Sequence, residues 1–224
     1  MSQGKQEVRY IDHMGGDHSI VRAARVSFAN EIRDALLSKE LKFGDINLIK
    51  FLARNNHWTP FAHTAVTLRM KAPIPIRTQC FKHKQGFVEN EESRRYIKST
   101  PEYFMPTWRE AVENKKQGSG AVLDSTFQKV ENEYYTTHME GCISGYEEAI
   151  KRGVCEEQAR FYLPQGCIVN WYWTGSLAAY ARFANLRLDS HAQREIQDLA
   201  ALVSPILKSL YPHGWEALVD RQIN

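Results

Sequence analysis

Nowhere does this sequence reach the roughly 18 consecutive apolar residues that a membrane-spanning helix needs, and its N-terminal MSQGKQEVRYIDHMGG has no hydrophobic segment of the secretory kind. The expectation is a cytoplasmic protein with no membrane partner. Cysteine is scarce: Cys80, Cys142, Cys155 and Cys167 show no C-x-x-C spacing, so reduced thiols are expected rather than a disulfide framework or a zinc ribbon. Charge of one sign is also lacking. Lys and Arg total 29 against 26 Asp and Glu, a net +3, which gives no bulk attraction to nucleic acid and leaves any anion to a local cluster of base. No internal repeat or linker is visible. G-x-x-x-x-G-K-[ST] and G-x-S-x-G do not occur, and Gly118-Ser119-Gly120 runs on as Ala121-Val122-Leu123, so the dinucleotide fingerprint is incomplete. His57 and His63 in HWTPFAH could suggest a metal, but Pro60 interrupts the helix that paired ligation needs and no third ligand is near, so none is expected.

What remains is an ordinary globular composition, 43% hydrophobic and 11% aromatic in 224 residues, read as one domain over residues 1–224. A short strand is expected at Val8–Ile11. Asp17 is placed to cap a helix with Ile20, Val21, Ala24 and Phe28 inward, and Asp45 another with Ile49, Leu52 and Ala53 inward. Thr64–Met70 alternates, with Val66, Leu68 and Met70 on one face, as a half-buried strand does. An exposed loop is expected at Asn114–Gly120. Beyond it the chain reads as mostly helical, with a long helix striped by Met139, Cys142, Ile143, Tyr146 and Ile150. Cys167–Trp173 is β-prone, and Leu163-Pro164 ends a helix. Ser190-x-x-Gln193 reads as a capping box opening a helix with Ile196, Leu199, Val203 and Ile206 inward, which Pro205 should kink or break. The class is α+β: a mixed central sheet with flanking helices and a helix-rich C-terminal half.

Chemistry concentrates in QCFKHKQGFVENEESRRY, Gln79 to Tyr96. Lys82, His83 and Lys84 form a compact cation cluster, Gly86 permits positive φ, and Ser93 with Arg95 can hold phosphate oxygens. NLRLDSHAQ puts Arg187 near the end of one helix and His191 in the first turn of the next. VRAARVSF carries Arg22, Arg25 and Ser27. Arg160 is an isolated cation before Leu163-Pro164. Cys142 fits an apolar stripe and reads as core.

These segments resemble one family. K-H-K followed by x8-S is similar to the R-H-R-x7-S signature of the flavin-dependent thymidylate synthases. VRAARVSF, HWTPFAH, MKAPI, PEYFMP, ARFYLP and NLRLDSHAQREIQ stand in family order along nearly the whole chain. The resemblance implies methylation of dUMP to dTMP with methylenetetrahydrofolate as carbon donor, FAD as hydride carrier and NADPH as reductant. It also implies a homotetramer with active sites shared between subunits. By the same resemblance Gln79, Lys82, Glu91, Glu92, Ser93, Arg94, Arg95 and Arg160 line the dUMP site, with Ser93 and Arg95 toward the phosphate. Arg187 sits by the pyrimidine as the catalytic residue. Ser27, His57, Thr59, Lys82, His83, Lys84, Asn90 and Glu91 contact FAD, joined by Ser176, Arg182 and His191.

Arginine is a poor base and a good electrostatic activator, which suits Arg187, and the hard chemistry is then the flavin's. Cys80 is not expected to act as a nucleophile. The chain departs from the pattern at both signature arginines, here Lys82 and Lys84, and the interval to Ser93 is one residue longer, expected as a bulge at Gly86. Ala62 stands where an acidic residue is common, and Ala178 and Arg182 replace the usual Arg and Asn. A competing reading is a non-enzymatic nucleotide- or RNA-binding module using Phe81, Phe87 and Tyr96 as stacking platforms. A third is a degenerate family member with weak turnover.

Overall fold

Val66, Leu68 and Met70 alternate with Thr67, Arg69 and Lys71. In the computed structural model, which describes residues 2–28, 41–113 and 118–219, this segment is β3 (Ala65–Pro73) with those three apolar side chains fully buried. Strand β2 (Glu7–Met14) pairs along one side of β3 and β6 (Ile168–Gly175) along the other, with β4 (Phe87–Glu91) outside β6. Every pairing in this sheet is antiparallel. A separate ribbon pairs β1 (Gln3–Gly4) with β5 (Tyr103–Phe104) in parallel. The architecture is α+β as the pattern predicts, with parallel pairing confined to that ribbon rather than shared with the central sheet.

One face of the sheet is covered by helices and the other is open to solvent. Trp171 and Trp173 of β6 share the main core with α1 (Asp17–Arg25), α2 (Phe43–Arg54), α3 (Thr59–Ala62), α4 (Ile74–Cys80), α7 (Leu177–Arg187), α8 (Arg194–Leu210) and α9 (Pro212–Leu218). The long α5 (Ser125–Lys151) packs apart from it. Its Met139 and Ile143 meet Tyr103 and Cys167, and its Tyr146 and Ala149 meet Ala159 of α6 (Glu156–Ala159).

Helix starts differ from the local signals. Gly16 is the N-cap of α1, and the Asp17 carboxylate instead accepts from the backbone N–H groups of His213 and Gly214, at 2.8 and 2.9 Å, in the first turn of α9. That places a carboxylate at a helix N-terminus 196 residues away, where orphan donors need it. Burial raises its pKa against the lowering effect of those two bonds. Asp45 is the third residue of α2 rather than its cap; it accepts from the N–H of Lys42 at 2.9 Å and pairs with Arg25.

Ser190 does not cap α8, because Asp189 turns the chain first, taking the N–H of His191 at 2.8 Å, and Gln193 becomes the N-cap. His191 therefore lies in the connection before α8, not in its first turn. Pro205 does not break α8: it sits on the exposed side, and the carbonyl it frees, that of Ala201, belongs to an exposed residue that water can satisfy. Cys142 is half-buried rather than core, its Sγ 3.8 Å from His138 Nε2. Pro60 opens α3 at a position where its missing N–H costs nothing, rather than interrupting a helix. Of the expected loop at Asn114–Gly120, residues 114–117 lie outside the described residues, as does the side chain of Phe28.

Candidate active site

Past β4 the chain turns at Ser93, whose carbonyl takes the N–H of Tyr96 at 3.0 Å and whose Oγ takes that of Arg95 at 3.3 Å. This turn and the 3₁₀ segment Arg160–Tyr162 bound a cavity of about 250 Å³ lined by Arg77, Glu91, Glu92, Ser93, Arg94 and Arg160 among others. Five of these were expected from the sequence; Arg77 was not. The acids have their own partners: Arg77 Nε lies 3.0 Å from Glu91 Oε2, and Arg69 Nη2 lies 2.8 Å from Glu92 Oε1. Burial raises the Glu91 pKa, opposed by the charge of Arg77. Among the described residues, the Arg160 side chain donates to the backbone carbonyl of Glu157 at 3.1 Å, and that of Arg94 to the carbonyl of Ser99. Three guanidinium groups and a serine hydroxyl thus converge on one small cavity, a donor set made for a phosphate.

Arg187 ends α7, where a cation complements the helix dipole. Its Nε donates to His83 Nε2 at 3.0 Å, which requires that nitrogen to be unprotonated. Burial, then the charges of Arg187 and Arg182, push His83 down to about 4 from its ordinary 6.5. The His83 ring is held edge-on by Phe183 at 5.2 Å. Between pH 6.5 and 4 the unfolded chain binds a proton at His83 that the native chain refuses, so this group's stabilisation is present above 6.5 and lost as pH falls toward 4. Wild type should therefore lose more melting temperature than His83→Gln on acidification from pH 7 to 4. Parallel melting curves for the two proteins would contradict that assignment.

A larger groove of about 1200 Å³ runs between α3, the start of β4 and α7, lined by His57, Trp58, Gly86, Gly175, Ser176 and Arg182 among others. Gly86 has φ +77°, and a Cβ there would lie 3.1 Å from that of Ala179; one on Gly175 would lie 2.4 Å from the Phe87 ring. Both glycines let the chain pass close against those side chains at the groove floor. Asn185 Oδ1 is buried beneath it with no hydrogen-bond partner among the described residues. Size and orphaned acceptor fit a large ring cofactor such as a flavin. An adjoining cavity of about 760 Å³ meets this groove at His57 and holds Ser27 and Thr59. No bulge interrupts the strand at the expected place: Gly86 lies in the turn Lys84–Phe87, and β4 pairs with β6 without a break.

Other expected residues stand apart from these cavities. Lys82 is exposed, Lys84 pairs with Glu89, and Asn90 lies on the open sheet face opposite Tyr172. Arg95 turns to Glu157 at 3.4 Å, and His191, 81% exposed, to Asp189 at 2.9 Å. Gln79 donates to Gln193 at 2.7 Å. Cys80 is fully buried and its thiol is pushed far up by desolvation, which removes it as a nucleophile. Two of the three stacking platforms that an RNA-binding module would use are packed away: Phe87 is buried with its ring 4.0 Å from that of Trp173, and Phe81 is half-buried edge-on to Trp171. Among the described residues, no group of three or more His, Cys, Asp or Glu could hold a metal.

Comparison with known proteins points the same way. A family model described as "Thymidylate synthase complementing protein" matches residues 9–213. The flavin-dependent thymidylate synthase of Thermosipho africanus is 35% identical over 213 residues, covering 95% of this chain and 90% of that protein. The one from Thermotoga neapolitana is 36% identical over 215 residues with the same coverage. The crystal structure of the UMP/dUMP methylase PolB from Streptomyces cacaoi, bound with 5-Br dUMP, superposes with a TM-score of 0.84 at 27% identity, covering 96% of this chain and 95% of that one. Carrying the phosphate-type cavity, the glycine-floored groove and this breadth of similarity, the chain belongs to the flavin-dependent thymidylate synthase family.

Proposed function

We propose that this enzyme methylates dUMP at C5 of the uracil ring to give dTMP, with methylenetetrahydrofolate as carbon donor and NADPH as reductant. The observation that carries the reading is the convergence of Arg77, Arg94, Arg160 and Ser93 on one cavity of about 250 Å³, sized and charged for a nucleotide phosphate. Gln79, Lys82, Glu91, Glu92 and Arg95 complete the nucleotide site in this reading. Arg187 faces the pyrimidine, where a guanidinium that cannot deprotonate stabilises negative charge on the activated ring. His83 orients it through Nε.

The transferred carbon arrives at the methylene level and must gain a hydride to become methyl; FAD, when bound, supplies it. Ser27, His57, Thr59, Lys82, His83, Lys84, Asn90, Glu91, Ser176, Arg182 and His191 are the residues assigned to hold that cofactor, with His57, Ser176 and Arg182 in the larger groove. The groove wall of Phe61, Phe87 and Ala179 excludes water from one side.

The chain acts as one domain and, in this proposal, as a cytoplasmic homotetramer. Arg187, Gln79, Arg95 and His191 lie outside the three cavities of a single chain, so a neighbouring subunit is the natural wall against them. The test is direct. Purified protein should take up FAD, turn yellow, and oxidise NADPH faster when dUMP and methylenetetrahydrofolate are present, yielding dTMP. A protein that takes up no added FAD, or forms no dTMP with all substrates supplied, would end the proposal.

A further inference from the structure

Glu195, in the first turn of α8, is a buried acid at 6% exposure. Arg109 Nη2 reaches both of its oxygens, at 2.7 and 2.9 Å. Arg109 is fixed in turn by Ser119 Oγ, 2.6 Å from its Nε, and by the Thr107 carbonyl at 3.3 Å. A carboxylate clamped by arginine offers only acceptors, so the neighbouring amide must present its NH₂ to it. Gln193 does so: its Nε2 donates to Glu195 Oε2 at 2.8 Å. The Gln193 side chain makes no cap bond although the residue is the N-cap of α8. Its Oε1 then accepts from Gln79 Nε2 at 2.7 Å. Each amide has one carbonyl and one NH₂, so the sense set at Glu195 passes along the chain. Gln79 is left presenting Oε1 as an acceptor, with its second N–H as a donor beside it.

We infer that Arg109, Glu195 and Gln193 form a positioning relay that fixes the sense of the Gln79 carboxamide and thereby selects uracil over cytosine nucleotides. The inference rests on the nucleotide site proposed above, with Gln79 as the member of it that meets the base. Uracil offers an N3–H donor beside the O4 acceptor, which matches an amide held in this sense with two hydrogen bonds, N3–H to Oε1 and Nε2–H to O4. Cytosine presents a bare N3 acceptor beside an amino donor. To match it, Gln79 must flip, and its Oε1 would then face Gln193 Oε1 with no proton between them. The relay forbids that flip as long as Glu195 orients Gln193.

The test is equilibrium dialysis of FAD-saturated protein with dUMP, dCMP and 2′-deoxyribose 5-phosphate. Two mismatched hydrogen bonds predict that wild type prefers dUMP to dCMP by about tenfold or more. Gln193→Met keeps the length of the side chain and removes both amide groups. It should remove most of that preference and leave deoxyribose 5-phosphate binding unchanged, which reports an intact phosphate cavity. Should that protein not fold, Gln193→Asn, with its amide drawn back by one methylene, gives the same readout. A Gln193 variant that keeps the wild-type ratio overturns the relay and leaves the dUMP reading standing. A wild-type protein that binds dUMP no better than dCMP also overturns the relay. A wild-type protein that binds neither nucleotide overturns the dUMP reading and the relay with it.

Discussion

Arg187→Ala should lower the rate of dTMP formation by about 10²–10³-fold, read in single-turnover assays at saturating dUMP, because one preorganised charge at a reacting group is typically worth that much. The guanidinium is well placed for it. It ends an 11-residue helix, where cations are favoured, and its Nε is tied to His83 at 3.0 Å, so little reorganisation is left for the reaction. The Cys80 and His83 side chains near it cannot substitute. Cys80 is buried with its thiol pushed far up, and His83 stays neutral at working pH, so neither supplies a charge of its own. Arg187→Lys should recover little, since an ammonium keeps the charge but has no Nε to anchor on His83 while its other end reaches the ring. The loss should fall on the rate rather than on the Kd for dUMP, because the phosphate is gripped elsewhere. Undiminished dTMP formation by Arg187→Ala would remove the residue from catalysis.

How far the sequence carries the fold depends on whether a signal is periodic or pointwise. The alternation in β3 and the stripe Ile196, Leu199, Val203 of α8 are repeated many times over, and each lands on the buried face. Capping signals are single residues, and several competed. Asp17 stands beside the start of α1 yet serves α9, a partner chosen by tertiary packing that no local window contains. Ser190 lost to Asp189, which closes a turn first.

The site follows the same division. The segment Glu91 to Arg94 and Arg160 were legible through motif resemblance, and one cavity collects them. Arg77 escaped notice because it precedes the signature in a helix with no chemical pattern of its own. Gln193 read as half of a capping box, and neither Arg109 nor Glu195 stood out, because their significance lies in a pairing across 86 positions.

That pairing carries the second large effect. Arg109→Ala should destabilise the protein by about 3–5 kcal/mol, because it strands the Glu195 carboxylate in a site where the acid side chain is only 8% exposed. For a chain of 224 residues this amounts to roughly 10 °C in melting temperature. Gln193 still donates to the acid, but one amide N–H cannot offset a lost guanidinium. The loss is a cost of leaving a buried charge unpaired, not the net worth of the ion pair, and a double variant separates the two. Arg109→Met with Glu195→Leu removes both charges at similar volume, and should melt above the single Arg109→Ala protein, since replacing both members of a buried pair by apolar groups is often neutral. The same double variant takes away the acceptor that orients Gln193, so it should regain stability and lose discrimination between dUMP and dCMP. If single and double variants melt together, the pair is solvated in practice and does not hold Arg109 and its partners Thr107 and Ser119 against α8.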